Sequence, residues 1–230
     1  MVKSARFGIA AGVRSGPAIL HWEEIVMKLI WQTLLALPLV LTCTTALANG
    51  DAAAGKGKID SCTSCHAADG NSVIPANPKL AGQGEKYLLK QLRDIQGGER
   101  PIPLMAGQLD NMTDQDLADI AAYYAEQTQT DGAAAQEWVE LGEEVYRNGN
   151  HERGIPSCMG CHGPAGTGNA PAGYPRLAGQ HADYIAQQLR SFSVGERYND
   201  GETKTMRDIA ERMNENEIKA VASYIAGLRP

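Results

Sequence analysis

The chain has 230 residues, 43% hydrophobic and 21% charged, a balance that excludes an intrinsically disordered chain and fits one or two globular domains. Its formal net charge of −6 excludes the basic face that a nucleic-acid binder needs. Aromatic residues make up only 6%, so a core is easier to build around a bulky apolar group than from side chains alone.

In chain order, the first segment reads as a leader. Lys28 gives a short basic start, an apolar run follows from Leu29 to Leu41, and Ala46-Leu47-Ala48 has the A-x-A form of a cleavage site. Gln32 and Pro38 interrupt the run, which is short for a membrane span. Residues 1–48 are therefore expected to be a secretory signal peptide. Glu23 and Glu24 do not suit a positive n-region, so Met27 reads as the true start, with residues 1–26 an extension ahead of it. Cys43 leaves with the leader; Thr42 before it is a poor fit to a lipoprotein signal. The exported chain remains acidic.

Beyond the leader the spacing predicts helices and no convincing strand. A short first helix is expected over Ala52 to Ile59 and a middle helix over Glu85 to Ile95. Thr113 to Asp116 resembles a capping box, after which Leu117, Ile120, Ala121 and Tyr124 follow at i, i+3, i+4 and i+7. A polar linker runs from Gln127 to Gly132, and the elements then recur: Trp138 to Tyr146, Ala182 to Phe192, and a closing helix capped by Asn214 with Glu217 three residues on. Lys79-Leu80-Ala81-Gly82-Gln83 matches Arg176-Leu177-Ala178-Gly179-Gln180, and Gly98-Glu99-Arg100 matches Gly195-Glu196-Arg197, at an offset of 97 that becomes 96 at the cysteines and 101 near the ends. The chain is thus an internal duplication, divided into domains at 49–128 and 129–230. Asn148 to Gly154 is an insertion of the second half.

Cysteine placement points to the chemistry. Cys62-Thr63-Ser64-Cys65-His66 and Cys158-Met159-Gly160-Cys161-His162 are two copies of C-x-x-C-H, the attachment pattern of c-type haem. Each pair of thiols would add across the haem vinyl groups, and His66 or His162 would be carried to the iron. A thioredoxin-like pair, a zinc site and local disulfides are the alternatives. Duplication, with His directly following each time and an export signal in front, favours haem. The resulting class is all-α: two tandem cytochrome c-like helical domains, each around one covalent haem that supplements a thin protein core.

Sixth ligands are sought among the remaining side chains. His151 and His181 both lie in the second half and read as solvated surface residues. Met112 and Met213 precede helix caps and read as staple or core residues, whereas Met105 and Met206 lie seven residues earlier in segments read as irregular. Met105 and Met206 are assigned as the thioether ligands, the alternative being a buried Met and an open iron. Pro78 and Pro175 precede the matched Lys79-Leu80 and Arg176-Leu177, where a proline turn could offer a carbonyl to each proximal His; a plain turn is the equal alternative.

These features together resemble the diheme cytochrome c4 family across nearly all of residues 49–230: the repeated Cys-x-x-Cys-His, Pro-Lys/Arg-Leu-Ala-Gly-Gln, Gln-Leu-Arg, a loop Met and a closing helix. The resemblance implies two class I cytochrome c domains packed face to face about a pseudo-twofold axis. It implies a periplasmic electron carrier, not an enzyme, with two covalent c-type haems held by Cys62, Cys65, Cys158 and Cys161 and ligated by His66, Met105, His162 and Met206. Its expected partners are redox proteins, a quinol-oxidising donor complex and a haem-copper terminal oxidase, with loose membrane association and no nucleic acid. A subunit of a larger dehydrogenase or oxidase and a diheme peroxidase are the rival functions.

Overall fold

The computed structural model describes Met27 and residues 50–230. The leader read at residues 1–48 lies, Met27 aside, outside the described residues. None of the described helices is long and apolar enough to cross a membrane.

The first half is built from α1 (Ala52–Lys56), α2 (Thr63–His66), α3 (Glu85–Gly97) and α4 (Asp114–Ala125). The second half continues as α5 (Val139–Asn148), α6 (Met159–His162), α7 (Ala182–Ser193), α8 (Thr205–Ala210) and α9 (Glu215–Gly227). Apart from two isolated bridges, the described residues carry no β structure. Among the described residues the fold is all-α, in two tandem helical halves.

Local chemistry sets the helix ends. The Asp51 carboxylate accepts from the Ala53 and Ala54 amides and starts α1, which stops at Lys56 rather than at the expected Ile59 because the chain unwinds through Gly57. Both predicted capping boxes form. Thr113 and Asp116 exchange hydrogen bonds at the start of α4, and Asn214 and Glu217 do so at α9. The α8 helix corrects the reading of an irregular segment. Met206, Ile209, Ala210 and Met213 do recur at i, i+3, i+4 and i+7 and face the second core, but no capping side chain marks the start. The Asp200 carboxylate, accepting from the Arg207 amide and guanidinium, completes the first turn.

The first and last helices of each half pack against one another, α1 on α4 and α5 on α9. Glycine makes both crossings close. A Cβ on Gly55 would lie 2.1 Å from the Asp119 carbonyl oxygen, and one on Gly142 would lie 2.3 Å from that of Ala220. The halves then differ inside. The first has a small cluster of buried apolar residues, Ile59, Leu88, Ile120, Ala121 and Tyr124. That of the second is far larger, from Val145 and Tyr146 through Phe192 to Leu228. The insertion after α5 adds to it by burying Ile155 and tying Asn150 to Glu217 (2.7 Å) and Arg153 to the Arg212 carbonyl (2.7 Å).

Candidate haem sites

Each C-x-x-C-H segment is a single helical turn. His66 N–H donates to Cys62 O (2.9 Å), and His162 N–H donates to Cys158 O (3.0 Å). Residues three and four apart share a helix face, so the turn presents both thiols and the imidazole together. The turns stop on a residue with positive φ, Ala67 in the first half and Gly163 in the second. Buried tyrosines hold the carbonyls that follow the histidines. Tyr146 OH donates to Gly163 O (2.6 Å), and Tyr124 OH approaches Ala67 O at 3.5 Å. The two tyrosines come from different helices, so this support does not follow the repeat.

Both imidazoles are buried, and both are aimed by proline. His66 Nδ1 lies 2.9 Å from Pro78 O, and His162 Nδ1 lies 3.0 Å from Pro175 O. A carbonyl only accepts, so Nδ1 carries the proton and Nε2 keeps a free lone pair. Burial lowers the pKa of each ring, opposed by the proline carbonyl, and so favours the neutral imidazole that a metal requires. Of the two readings of Pro78 and Pro175, the carbonyl acceptor is therefore the one present.

The thiols do not match the bland alternatives. Burial pushes the Cys158 thiol up to about 11 and raises that of Cys62, the reverse of the activated thiolate of a redox pair. All four described cysteines are free, and among the described residues no three of His, Cys, Asp and Glu converge as a metal cluster would. Two thiols and one neutral imidazole on each turn fit the attachment of a haem.

The assigned methionines occupy different settings. Met105 ends a short 3-10 turn, Pro103–Met105, and borders an open cavity of about 230 Å³ with Ile95, Ile102 and Leu109. Met206 lies in the first turn of α8, half-buried against the second core. Met213 is buried in that core and Met112 packs against the first, as read from their positions before the caps. His151 is exposed, but His181 is not the solvated residue expected: it is half-buried, and its Nε2 donates to Ser72 O of the first half (2.7 Å). Gly84 stands at the matching place, so no comparison between the repeats could reveal this bridge.

Two buried guanidinium groups lie where the halves meet. Arg100 donates to Gln91, Tyr184 and Gln188, and Arg197 to Tyr87, Gln91, Gln188 and Asn199. All these partners are neutral. Among the described residues neither arginine pairs directly with a carboxylate; Asp94 is held by Asn199 and acts on Arg100 at longer range, so the guanidiniums could also meet an anionic group such as a haem propionate. The repeated Gly-Glu-Arg was visible in the sequence; burial of its arginine was not.

The family model described as cytochrome c matches twice, over residues 52–127 and 139–229. Cytochrome c4 of Azotobacter vinelandii is 53% identical over 192 residues, which cover 80% of this chain and 91% of that protein. The thiosulfate dehydrogenase electron acceptor of Stutzerimonas stutzeri is 38% identical over 171 residues, 73% of this chain and 78% of that one. The crystal structure of reduced recombinant cytochrome c4 from Pseudomonas stutzeri superposes with a TM-score of 0.77 at 49% identity, covering 78% of this chain and all of that one.

Proposed function

The chain belongs to the cytochrome c family and to its cytochrome c4 branch, and from that membership we propose that it is a periplasmic diheme carrier that passes single electrons between respiratory proteins. The observation that carries the reading is the twice-built turn in which two thiols accompany a buried, neutral imidazole with Nδ1 on a proline carbonyl. Cys62, Cys65, Cys158 and Cys161 hold the two c-type haems, His66 and His162 are the proximal ligands, and Met105 and Met206 the distal ones. The domains divide near residue 128, and residues 1–48 direct export.

When bound, each haem supplies an iron that cycles between ferric and ferrous states. The chain's own part is to hold the electronics still. The proline carbonyls fix the tautomer and plane of each imidazole. Arg100 and Arg197 place positive charge at the meeting of the halves. Redox encounters of this kind use small interfaces, roughly below 1,200 Å², and the acidic surface steers towards basic partners.

The donor is a quinol-oxidising complex and the acceptor a haem-copper terminal oxidase. Similarity to a thiosulfate dehydrogenase electron acceptor supports a second reading at the donor end, in which the carrier is reduced by an exported dehydrogenase. Both readings require closed irons. The ferric protein with both haems attached is expected to show the weak near-infrared band of iron–thioether ligation. Met105→Ala and Met206→Ala should each remove about half of it; no loss from either rejects the ligand assignment. Reduction of the purified protein by quinol-oxidising membranes, set against reduction by an exported dehydrogenase, separates the two donors.

A further inference from the structure

The Leu-Ala-Gly-Gln repeat ends in glutamines that act across the molecule. Gln180 accepts at Oε1 from the Lys79 amide (2.9 Å) and donates from Nε2 to the Lys79 carbonyl (2.8 Å). Gln83 returns the arrangement, accepting from the Arg176 amide (2.8 Å) and donating to the Arg176 carbonyl (2.9 Å). Both glutamines are buried, Gln83 at 8% exposure and Gln180 at 5%, so water does not compete for these bonds. Each Oε1 also accepts from the amide that follows its own residue, Gly84 or His181, which fixes the side chain in place.

The peptide unit that each glutamine grips is also the one that each histidine uses. The Pro78–Lys79 unit offers its carbonyl to His66 and its N–H to Gln180. The Pro175–Arg176 unit offers its carbonyl to His162 and its N–H to Gln83. A hydrogen bond at one end of an amide polarises it and strengthens the bond at the other. A stronger acceptor at Nδ1 makes the imidazole a more basic ligand, and a more basic ligand favours the oxidised metal.

We propose that Gln180 and Gln83 are positioning residues that tune the haems in trans: Gln180, in the second half, lowers the reduction potential of the haem on Cys62 and Cys65, and Gln83, in the first, lowers that of the haem on Cys158 and Cys161. This rests on the proposed ligation by His66 and His162. The geometry adds to that ligation a crossed dependence, in which each site is completed by the opposite half.

The test uses the full protein with both haems attached. A redox titration followed by proton NMR reads each haem through its own methyl resonances, and in the reduced protein the Nδ1–H resonances of His66 and His162 report the proximal bonds directly. Gln180→Leu should raise only the potential of the first-half haem and move only the His66 Nδ1–H resonance upfield. Gln83→Leu should do the same to the second-half haem and His162. Gln180→Glu puts a charged acceptor on the Lys79 amide and should move the His66 Nδ1–H resonance downfield together with a lower first-half potential, so the pair of shifts decides the matter if the leucine variant does not load haem. A lower potential with an unmoved His66 Nδ1–H resonance is charge alone and overturns the proposal. A shift of the haem in the substituted half, an equal shift of both, or no shift overturns the proposal. Absence of ring-current-shifted Nδ1–H resonances from His66 and His162 in the unsubstituted protein would instead overturn the ligation beneath it.

Discussion

Ala67 follows His66 with φ 61° and ψ 161°, a region that glycine alone enters freely. The second half has Gly163 at this place, with φ 81° and ψ 153°. The turn after the histidine must reverse at once so that the chain can come back to the proline, and alanine bears strain there. Ala67→Gly should stabilise the first half by about 1 kcal/mol or more, and Gly163→Ala should destabilise the second by about 1–3 kcal/mol. Denaturant unfolding of the two variants checks both signs; a neutral Ala67→Gly would show that the strain is absent. The C-x-x-C-H motif was legible from three fixed residues within five positions, because attachment chemistry needs that spacing. Ala67 was not, because an unremarkable alanine reveals its φ only once the chain beyond it is placed.

At the scale of elements, the crossings of first and last helices tolerate no side chain at Gly55 or Gly142, since a Cβ would meet backbone rather than a movable side chain. Gly55→Ala and Gly142→Ala should each cost about 1–3 kcal/mol through forced separation of the helices, read as a lowered midpoint in denaturant. The same crossing sets an expected difference in acid stability. Beside Gly55, Lys58 pairs with Asp116 (2.6 Å) and with the buried Asp119 (2.5 Å). Beside Gly142 the places of Lys58 and Asp119 hold Val145 and Ala220, and Glu217, at the place of Asp116, meets Arg153 of the insertion instead (3.5 Å). The hydrogen bond from Lys58 holds the Asp116 carboxyl well below its usual range, and the Asp51 amide, then Lys58, lower that of Asp119. A carboxylate whose folded pKa is depressed contributes stability above its unfolded value, about 3.9, and loses it as the pH falls. The first half should therefore open before the second on acidification below about pH 4. Amide exchange resolved by half checks this, and Lys58→Val with Asp119→Ala should abolish the order. The helices themselves were legible wherever caps and apolar period agreed, as at Thr113 and Asn214. The α8 helix was missed although Met206, Ile209, Ala210 and Met213 have helical spacing, because no cap precedes it and Asp200, outside the helix, completes its first turn.

For the whole molecule, the decisive feature is how little of the joint between halves is apolar. Reciprocal glutamine clamps, the His181–Ser72 bond and the Arg100–Arg197 cluster carry it. The polar linker is woven in as well, with Asn71 bonded to Thr128 and Thr130, and Gln129 to Ala178 and Arg176. Such a network holds strongly when complete and poorly when broken. Arg197→Leu would deprive Tyr87, Gln91, Gln188 and Asn199 of a shared buried donor, at a cost of about 2–3 kcal/mol. Calorimetry should show one transition for the protein with both haems attached and two for the variant, the lower belonging to the first half with its smaller core. A single transition in the variant would mean that the halves are joined by something else.

The order of residues alone was enough to determine the duplication, the two C-x-x-C-H segments and the helical class, because each is local chemistry or local spacing. That Pro78 and Pro175 offer their carbonyls to the histidines, rather than only turning the chain, was decided by the structure. The roles of Gln83, Gln180, Arg100, Arg197 and His181 were decided only by tertiary structure. All five are polar residues, four of them buried and His181 half-buried, and what distinguishes them is a hydrogen bond to a half of the chain about a hundred residues away, which no local spacing encodes.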